Sequence, residues 1–230
     1  KSVLNILIVA AHPDDEVLGM GGTIKKISKN NSVSLCVVSE GASAQYKNKK
    51  MIETRRNSCK KAGKILGISK FVFLNFPDMQ LDSIPHLEIN KKLEKVIKEF
   101  KPEIVYTTPF NDLNLDHQKV FESTLVATRP ISSTVKQILS YEIPGITKKP
   151  FNPNVYENIQ KEFLSKIKAI KQYKSEIKDF PHSRSLEVIE SISKIRGMES
   201  GLKNAEAFML IKKISKWYIM KFNRKITWPN

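Results

Sequence analysis

Ile6-Leu7-Ile8-Val9-Ala10-Ala11-His12-Pro13-Asp14-Asp15-Glu16 is an apolar run that stops at a histidine and three acidic side chains. Leu, Ile and Val without alternation read as a strand buried on both faces, the usual state of a central strand in a parallel sheet. Pro13 cannot donate to a ladder, so the strand from Val3 should end at His12. Asp14-Asp15-Glu16 suits the first turn of a helix, where the dipole favours negative charge. The cluster therefore falls at a strand's carboxyl end, where open α/β sheets place their ligands.

Outward from this stretch, Val17–Ser28 carries an amphipathic helical pattern. Gly19, Gly21 and Gly22 within it are poor helix formers that point to close backbone packing against the sheet. They follow the acidic residues rather than the strand, and an acidic turn repels a pyrophosphate, so a dinucleotide loop is discounted. Strands are expected at Val33–Ser39, Phe71–Asn75, Ile104–Thr107 and Gln137–Glu142. Helices are expected at Met51–Leu66, with Gly67 as C-cap, at Leu87–Phe100, and from the Asn114–Asp116 region to about Thr128. This alternation predicts an α/β, Rossmann-like fold: a mostly parallel sheet with helices on both faces. From about residue 154 the pattern turns helical, with amphipathic stretches at Val155–Tyr173 and Leu186–Met198, then a last strand at Ala207–Lys212. A single domain over residues 1–230 is expected.

The 230 residues are 40% hydrophobic and 27% charged, ordinary for a globular chain with a core. No apolar run approaches the ~20 residues of a membrane span and no leader peptide is visible, which argues for a cytoplasmic protein. Cys36 and Cys59 have no metal-site spacing and read as reduced, partly buried residues. The formal net charge is +16. Nucleic acid, an anionic membrane surface or an acidic substrate would each fit it, but many lysines sit beside glutamates on helix faces, as in Lys91-Lys92-Leu93-Glu94-Lys95. No module with stacking aromatics accompanies them, so no nucleic-acid partner is expected. The tail Lys212–Phe222 mixes cations with aromatics. It fits either a C-terminal helix packed on the domain or a peripheral contact with an anionic membrane.

A second cluster, Phe110-Asn111-Asp112-Leu113-Asn114-Leu115-Asp116-His117-Gln118, follows the fourth strand and so lies at the same sheet edge as His12. His12, Asp15 and His117 supply two imidazoles and a carboxylate, a set that suits Zn²⁺ with an open position. Another divalent ion such as Fe²⁺ suits the same donors. Asp14, beside the ligands without being one, is placed to take a proton from an attacking water. Metal-assisted hydrolysis is the expected reaction type. His182, in a proline-containing loop, and His86 read as non-ligands.

The run Ala11-His12-Pro13-Asp14-Asp15-Glu16 with Gly21-Gly22 resembles the signature of the PIG-L/LmbE-like zinc-dependent N-acetylglucosaminyl deacetylases. The likeness continues through Arg56, Ala62…Leu66-Gly67, Asp78, Asp116-His117 and Ala205-Glu206-Ala207-Phe208, and so covers most of the chain. It implies His12, Asp15 and His117 as metal ligands, Asp14 as general base, and Arg56 and Asp78 as residues holding the sugar or a neighbouring anionic group. Arg129, before Pro130 at a helix end, is a further candidate for substrate contact. The implied substrate is an N-acetylated amino sugar, glycan-, lipid- or nucleotide-linked, released as free amine and acetate. A non-catalytic sugar-binding or glycan-assembly partner of the same fold is the alternative. Two departures stand out. Asn114 occupies the place of a histidine common in the family, so it could donate a hydrogen bond to the oxyanion but not act as an acid. Cys59 stands where a glutamate is common.

Overall fold

The computed structural model describes residues 3–46, 48, 50–145 and 147–215. The run that opens the chain forms β1 (Asn5–Ala10), buried from Ile6 onward. Its side chains alternate between two cores. Ile6, Ile8 and Ala10 pack with α1 (Asp15–Ile27), α2 (Lys50–Leu66), α5 (Phe163–Ile170) and α6 (Leu186–Ser200). Leu7, Val9 and Ala11 pack with α3 (His86–Phe100) and α4 (Leu115–Ala127). A strand with a core on each face has no side on which a polar residue can stand, which is why the run is unbroken.

The remaining strands are β2 (Ser32–Ser39), β3 (Lys70–Phe76), β4 (Ile104–Thr107), β5 (Gln137–Tyr141), β6 (Val155–Asn158) and β7 (Ala205–Lys213). They form one sheet in the order β3-β2-β1-β4-β5-β7-β6. β3, β2, β1, β4 and β5 pair in parallel, and β7 runs antiparallel to both β5 and β6. The chain leaves β1 toward β2 and β3, then returns to β4 on the other side. The strand order therefore reverses between β1 and β4, the crevice where doubly wound sheets bind ligands.

The C-terminal part departs from the helical expectation. Val155–Asn158 is an edge strand paired with Phe208–Ala205, and the helix of this region starts only at Phe163. Val155 and Tyr156 favour a pleated, half-buried surface, and the open edge of β7 supplies partners no helix could use. Lys212 and Lys213 complete β7 rather than starting a helix; residues 216–222 of the basic tail lie outside the described residues. Among the described residues no helix is long and apolar enough to cross a membrane.

α1 is broken at Met20 (φ −144°, ψ 25°). Its second half starts against Glu206 of β7, whose carboxylate accepts from the Gly22 and Thr23 N–H groups at 2.9 and 2.7 Å. Lys166 of α5 pairs with the same carboxylate at 2.6 Å and donates to the Leu18 carbonyl at 2.8 Å. One buried ion pair thus satisfies both ends of the break. Gly22 is needed there because a Cβ would lie 2.7 Å from Ile159. Glu206→Ala leaves Lys166 buried without its partner, and urea unfolding should show a loss of about 3–5 kcal/mol. A loss under about 1 kcal/mol would show that the break does not depend on the pair.

Candidate metal centre at the carboxyl edge

Pro13 ends β1, and the chain turns inward rather than outward. The Asp15 carboxylate folds back on the strand, its Oδ2 accepting from the Ala11 and His12 N–H groups at 3.0 and 2.8 Å. Its other oxygen, Oδ1, faces His117 Nε2 at 3.3 Å. Gly41, in the loop after β2, lies directly over this turn with φ +66°, and a Cβ there would collide with the Pro13 ring. Asp14 holds an uncommon φ of 139°, a conformation that costs on the order of 1–3 kcal/mol outside glycine. Glu16 braces it: Oε2 accepts from the Asp14 N–H at 3.2 Å, while Oε1 accepts from the Tyr173 hydroxyl at 2.6 Å. Glu16 is fully buried, and burial pushes its carboxyl up to about 8 against the Tyr173 hydrogen bond. Its role extends past starting the helix.

The second cluster arrives at the start of α4. Asn114 caps that helix, its Oδ1 accepting from the Asp116 N–H at 2.9 Å. His117 then faces the β1 turn, with ring centroids of His12 and His117 5.2 Å apart. Each imidazole has a carboxylate behind it. His117 Nδ1 meets Asp112 Oδ2 at 2.8 Å, and His12 Nε2 meets Asp116 Oδ2 at 3.0 Å. Such pairs fix the tautomer and aim the other ring nitrogen forward, as in metal-ligating histidines. The forward atoms are His12 Nδ1, 3.6 Å from Asp15, and His117 Nε2, which is buried with no hydrogen-bond partner.

One donor atom each from His12, Asp15 and His117 lie within 4.8 Å of one another, all buried. A second set, His12, Asp78 and Asp116, meets the same distance. It is the weaker candidate, because Asp116 is already spent: Oδ1 accepts from the Leu81 N–H at 3.0 Å, and Oδ2 from the Met79 N–H at 2.9 Å and from His12. Asp78 stands beside this set, Oδ1 3.4 Å from His12 Nε2, and burial raises its carboxyl above the ordinary range against the His12 charge.

The Asp14 carboxylate is buried and both its oxygens lack a hydrogen-bond partner. Two guanidinium groups flank it, Arg55 Nη2 at 3.3 Å and Arg184 Nη2 at 3.5 Å. Burial raises its pKa above the ordinary carboxylate range, and the two arginines offset only part of that rise. Both arginines also pair with Glu176, at 3.3 and 2.8 Å. A cavity of ≈ 320 Å³ opens over the cluster, lined by Asp78, Met79, Asn114, His182 and Arg184 among others.

His12, Asp14, Asp15, Asp78, Asn114 and His117 therefore share one site, while two expected residues stand apart. Arg56 lies on the outer face of α2, over the Phe73 ring and bonded to Asn75 Oδ1 at 2.6 Å. The buried arginine is its neighbour Arg55, which shares helical spacing with buried Cys59, Ala62 and Leu66. Arg129 sits at the far end of α4, bonded to Glu94 at 3.2 Å. Thirteen helical residues put it about 20 Å from the end that carries His117. His182 is exposed on the pocket rim and no part of the ligand set. Glu176 and Arg184 join the site from a stretch that no motif marks, and Asp112 and Asp116, neighbours of His117 in the second cluster, join it as partners of the two imidazoles.

A doubly wound α/β sheet with a histidine–carboxylate cluster at its switch point defines the class. The PIG-L family profile, described as GlcNAc-PI de-N-acetylase, matches residues 7–128. The chain is 35% identical over 180 residues to the uncharacterized deacetylase YaiS of Escherichia coli K12, an alignment covering 74% of this chain and 90% of that protein. This chain belongs to the PIG-L family. Among solved structures, the fold superimposes on N,N'-diacetylchitobiose deacetylase from Pyrococcus horikoshii with TM-score 0.76 and 21% identity, covering 90% of this chain and 83% of that one. It also superimposes on the 4-carboxy-2-hydroxymuconate hydratase of Pseudomonas putida KT2440 with TM-score 0.76 and 19% identity, covering 92% and 98%. The fold alone therefore does not fix the reaction; the site must.

Burial works against charge on both imidazoles. The Asp116 and Asp15 carboxylates outweigh it at His12 and raise its pKa to about 10; Asp15 and Asp112 raise His117 to about 9. With pKa values this high both rings carry a proton at neutral pH, which a metal ion binding between them would have to displace from each. Calorimetric titration of zinc at pH 7 in buffers of different ionisation enthalpy should show release of about two protons, with affinity rising as pH rises toward 9. Binding enthalpies independent of the buffer would contradict the assignment of the two histidines.

Proposed function

We propose that the protein is a metal-dependent hydrolase that removes the N-acetyl group from an N-acetylated amino sugar of the GlcNAc type, with zinc as its ion. The observation that carries this reading is the juxtaposition of two features. The His12–Asp15–His117 donor set lies beside Asp14, a buried carboxylate with no hydrogen-bond partner on either oxygen. Membership of a family described by GlcNAc-PI de-N-acetylation, and likeness to YaiS, support the reaction type. The cavity of ≈ 320 Å³ is of a size for a single sugar.

The donor set fits the ion. His117 Nε2 is an orphaned buried nitrogen and Asp15 Oδ1 faces it, while two nitrogens and one carboxylate oxygen match the chemistry of catalytic zinc sites. When bound there, the ion supplies Lewis-acid polarisation and a lowered pKa for water. The chain's own groups do the rest. Asp112 and Asp116 orient the two rings. Arg55 and Arg184 oppose the rise that burial imposes on the Asp14 carboxyl, and Glu16 fixes its backbone. Asp14 takes a proton from the water whose oxygen adds to the acetyl carbon. The C–N bond then breaks, and the proton passes from Asp14 to the sugar nitrogen, leaving amine and acetate. Asp78, on the pocket wall, is placed to accept from sugar hydroxyls. Asn114 is committed as a helix cap through Oδ1, which limits it to donating from its amide nitrogen.

Zinc-loaded protein incubated with N-acetylglucosamine and its β-glycosides should release primary amine and acetate in equal amounts. Asp14→Asn should lower kcat by about 10²–10⁴-fold with zinc content unchanged. Absence of amine release by the wild type across the panel, or full activity in Asp14→Asn, would overturn the reading.

A further inference from the structure

We propose that Arg184 contacts the substrate directly, its guanidinium donating to the amide oxygen as negative charge develops on it. The assignment rests on the deacetylase reading above and adds to it a catalytic residue from outside every motif. An amide oxygen becoming an oxyanion needs a preorganised donor; of those lining the pocket, the side chains of Gln45 and Ser183 make no hydrogen bond among the described residues that would hold them in place, and the others can be taken in turn. The proton-bearing nitrogens of His12 and His117 are spent on Asp116 and Asp112. Arg55 has a side chain only 3% exposed, wedged against Asp14 and Glu176, with Nη2 donating to the Pro13 carbonyl at 3.0 Å. Asn114 caps α4 and turns its amide nitrogen toward Met79 Sδ at 3.5 Å. His182, exposed on the pocket rim, accepts from the Arg184 N–H through Nδ1 at 3.0 Å, and among the described residues no side chain anchors its ring.

Arg184 differs from all of these. Its side chain is 26% exposed and lines the pocket. Nη1 is anchored on Glu176 at 2.8 Å, whereas Nη2 stands 3.5 Å from Asp14 Oδ2 and makes no hydrogen bond among the described residues. The guanidinium is thus fixed at one nitrogen and unspent at another, next to the carboxylate that handles the attacking water. Its backbone is fixed as well. Ser185 caps α6 by accepting from the Val188 N–H at 3.2 Å, and its own N–H donates to the His182 carbonyl at 2.9 Å. A donor held this way pays little reorganisation when charge appears in front of it. Asp14 and Arg184 then divide the work: one moves the proton, the other meets the charge.

The test compares wild type, Arg184→Gln and Arg184→Lys, all zinc-loaded. Turnover is measured on N-acetylglucosamine, and affinity by calorimetry for glucosamine and for its N-methylphosphonyl derivative, a stable tetrahedral oxyanion. Arg184→Gln should lose about 100-fold in kcat/KM, mainly in kcat, with zinc content unchanged. It should bind the phosphonyl compound about tenfold or more weakly while glucosamine affinity stays within about twofold. Added guanidinium ion should restore part of the lost rate, and Arg184→Lys should fall between the two. If Arg184→Gln folds poorly, Arg184→Lys carries the comparison, because it keeps the charge beside Asp14 and loses only the fork of donors. A loss below about threefold in kcat/KM overturns the assignment. So does equal weakening for glucosamine and the phosphonyl compound without guanidinium rescue, which would reduce Arg184 to a loop anchor. A wild type without deacetylase activity overturns the reading beneath it instead.

Discussion

The Asp15 carboxylate, folded back onto the end of β1, couples the two halves of the site. With Oδ2 held by two backbone N–H groups, the side chain cannot rotate, and Oδ1 is left aimed across the switch point at His117. Pro13 makes this geometry available by ending the ladder, and Gly41 makes room for Pro13. The strained φ at Asp14 follows from the same turn. A chain that must turn both Asp14 and Asp15 into one buried polar cluster within a single turn cannot also keep ordinary helical dihedrals there.

The price of this arrangement is electrostatic. Asp14, Asp15, Glu16, Asp112, Asp116 and Glu176 are all buried around one small volume. Unpaired, each such charge would be strongly unfavourable, so the cluster persists only because cations and hydrogen bonds are interleaved with it. Arg55 and Arg184 answer Asp14 and Glu176. The imidazoles answer Asp15, Asp112 and Asp116, and hold raised pKa values as the consequence. A divalent cation held by His12, Asp15 and His117, as proposed, would replace the two protons without changing the logic of the network. Asp15, held well below the usual carboxylate range by His117 despite its burial, is anionic and ready for it.

Much of this was legible in the chain itself, for physical reasons that differ from residue to residue. The unalternating apolar run of β1 and the strand–helix spacing carried the sheet, because a core on both faces leaves a direct imprint on composition. The pairing of His12 with His117 followed from placing both after strands at one edge. The periodicity of α2 held the choice between Arg55 and Arg56, since only Arg55 shares a stripe with Cys59, Ala62 and Leu66. Val155–Asn158 does not show itself as a strand, because four residues cannot display a period and the edge of β7 that recruits them lies some fifty residues away. Glu176 and Arg184 left no sequence signal at all. They reach Asp14 only through the tertiary path of a loop between α5 and α6.

The central claim is that His12, Asp15 and His117 form the metal centre and that Asp78 and Asp116 do not. Diffraction from zinc-soaked crystals, with anomalous data collected on both sides of the zinc edge, tests it most directly. The account predicts one strong anomalous peak in contact with His12 Nδ1, Asp15 Oδ1 and His117 Nε2, with Asp116 still bonded to His12 Nε2. A peak between Asp78 and Asp116, or none at the end of β1, would contradict it.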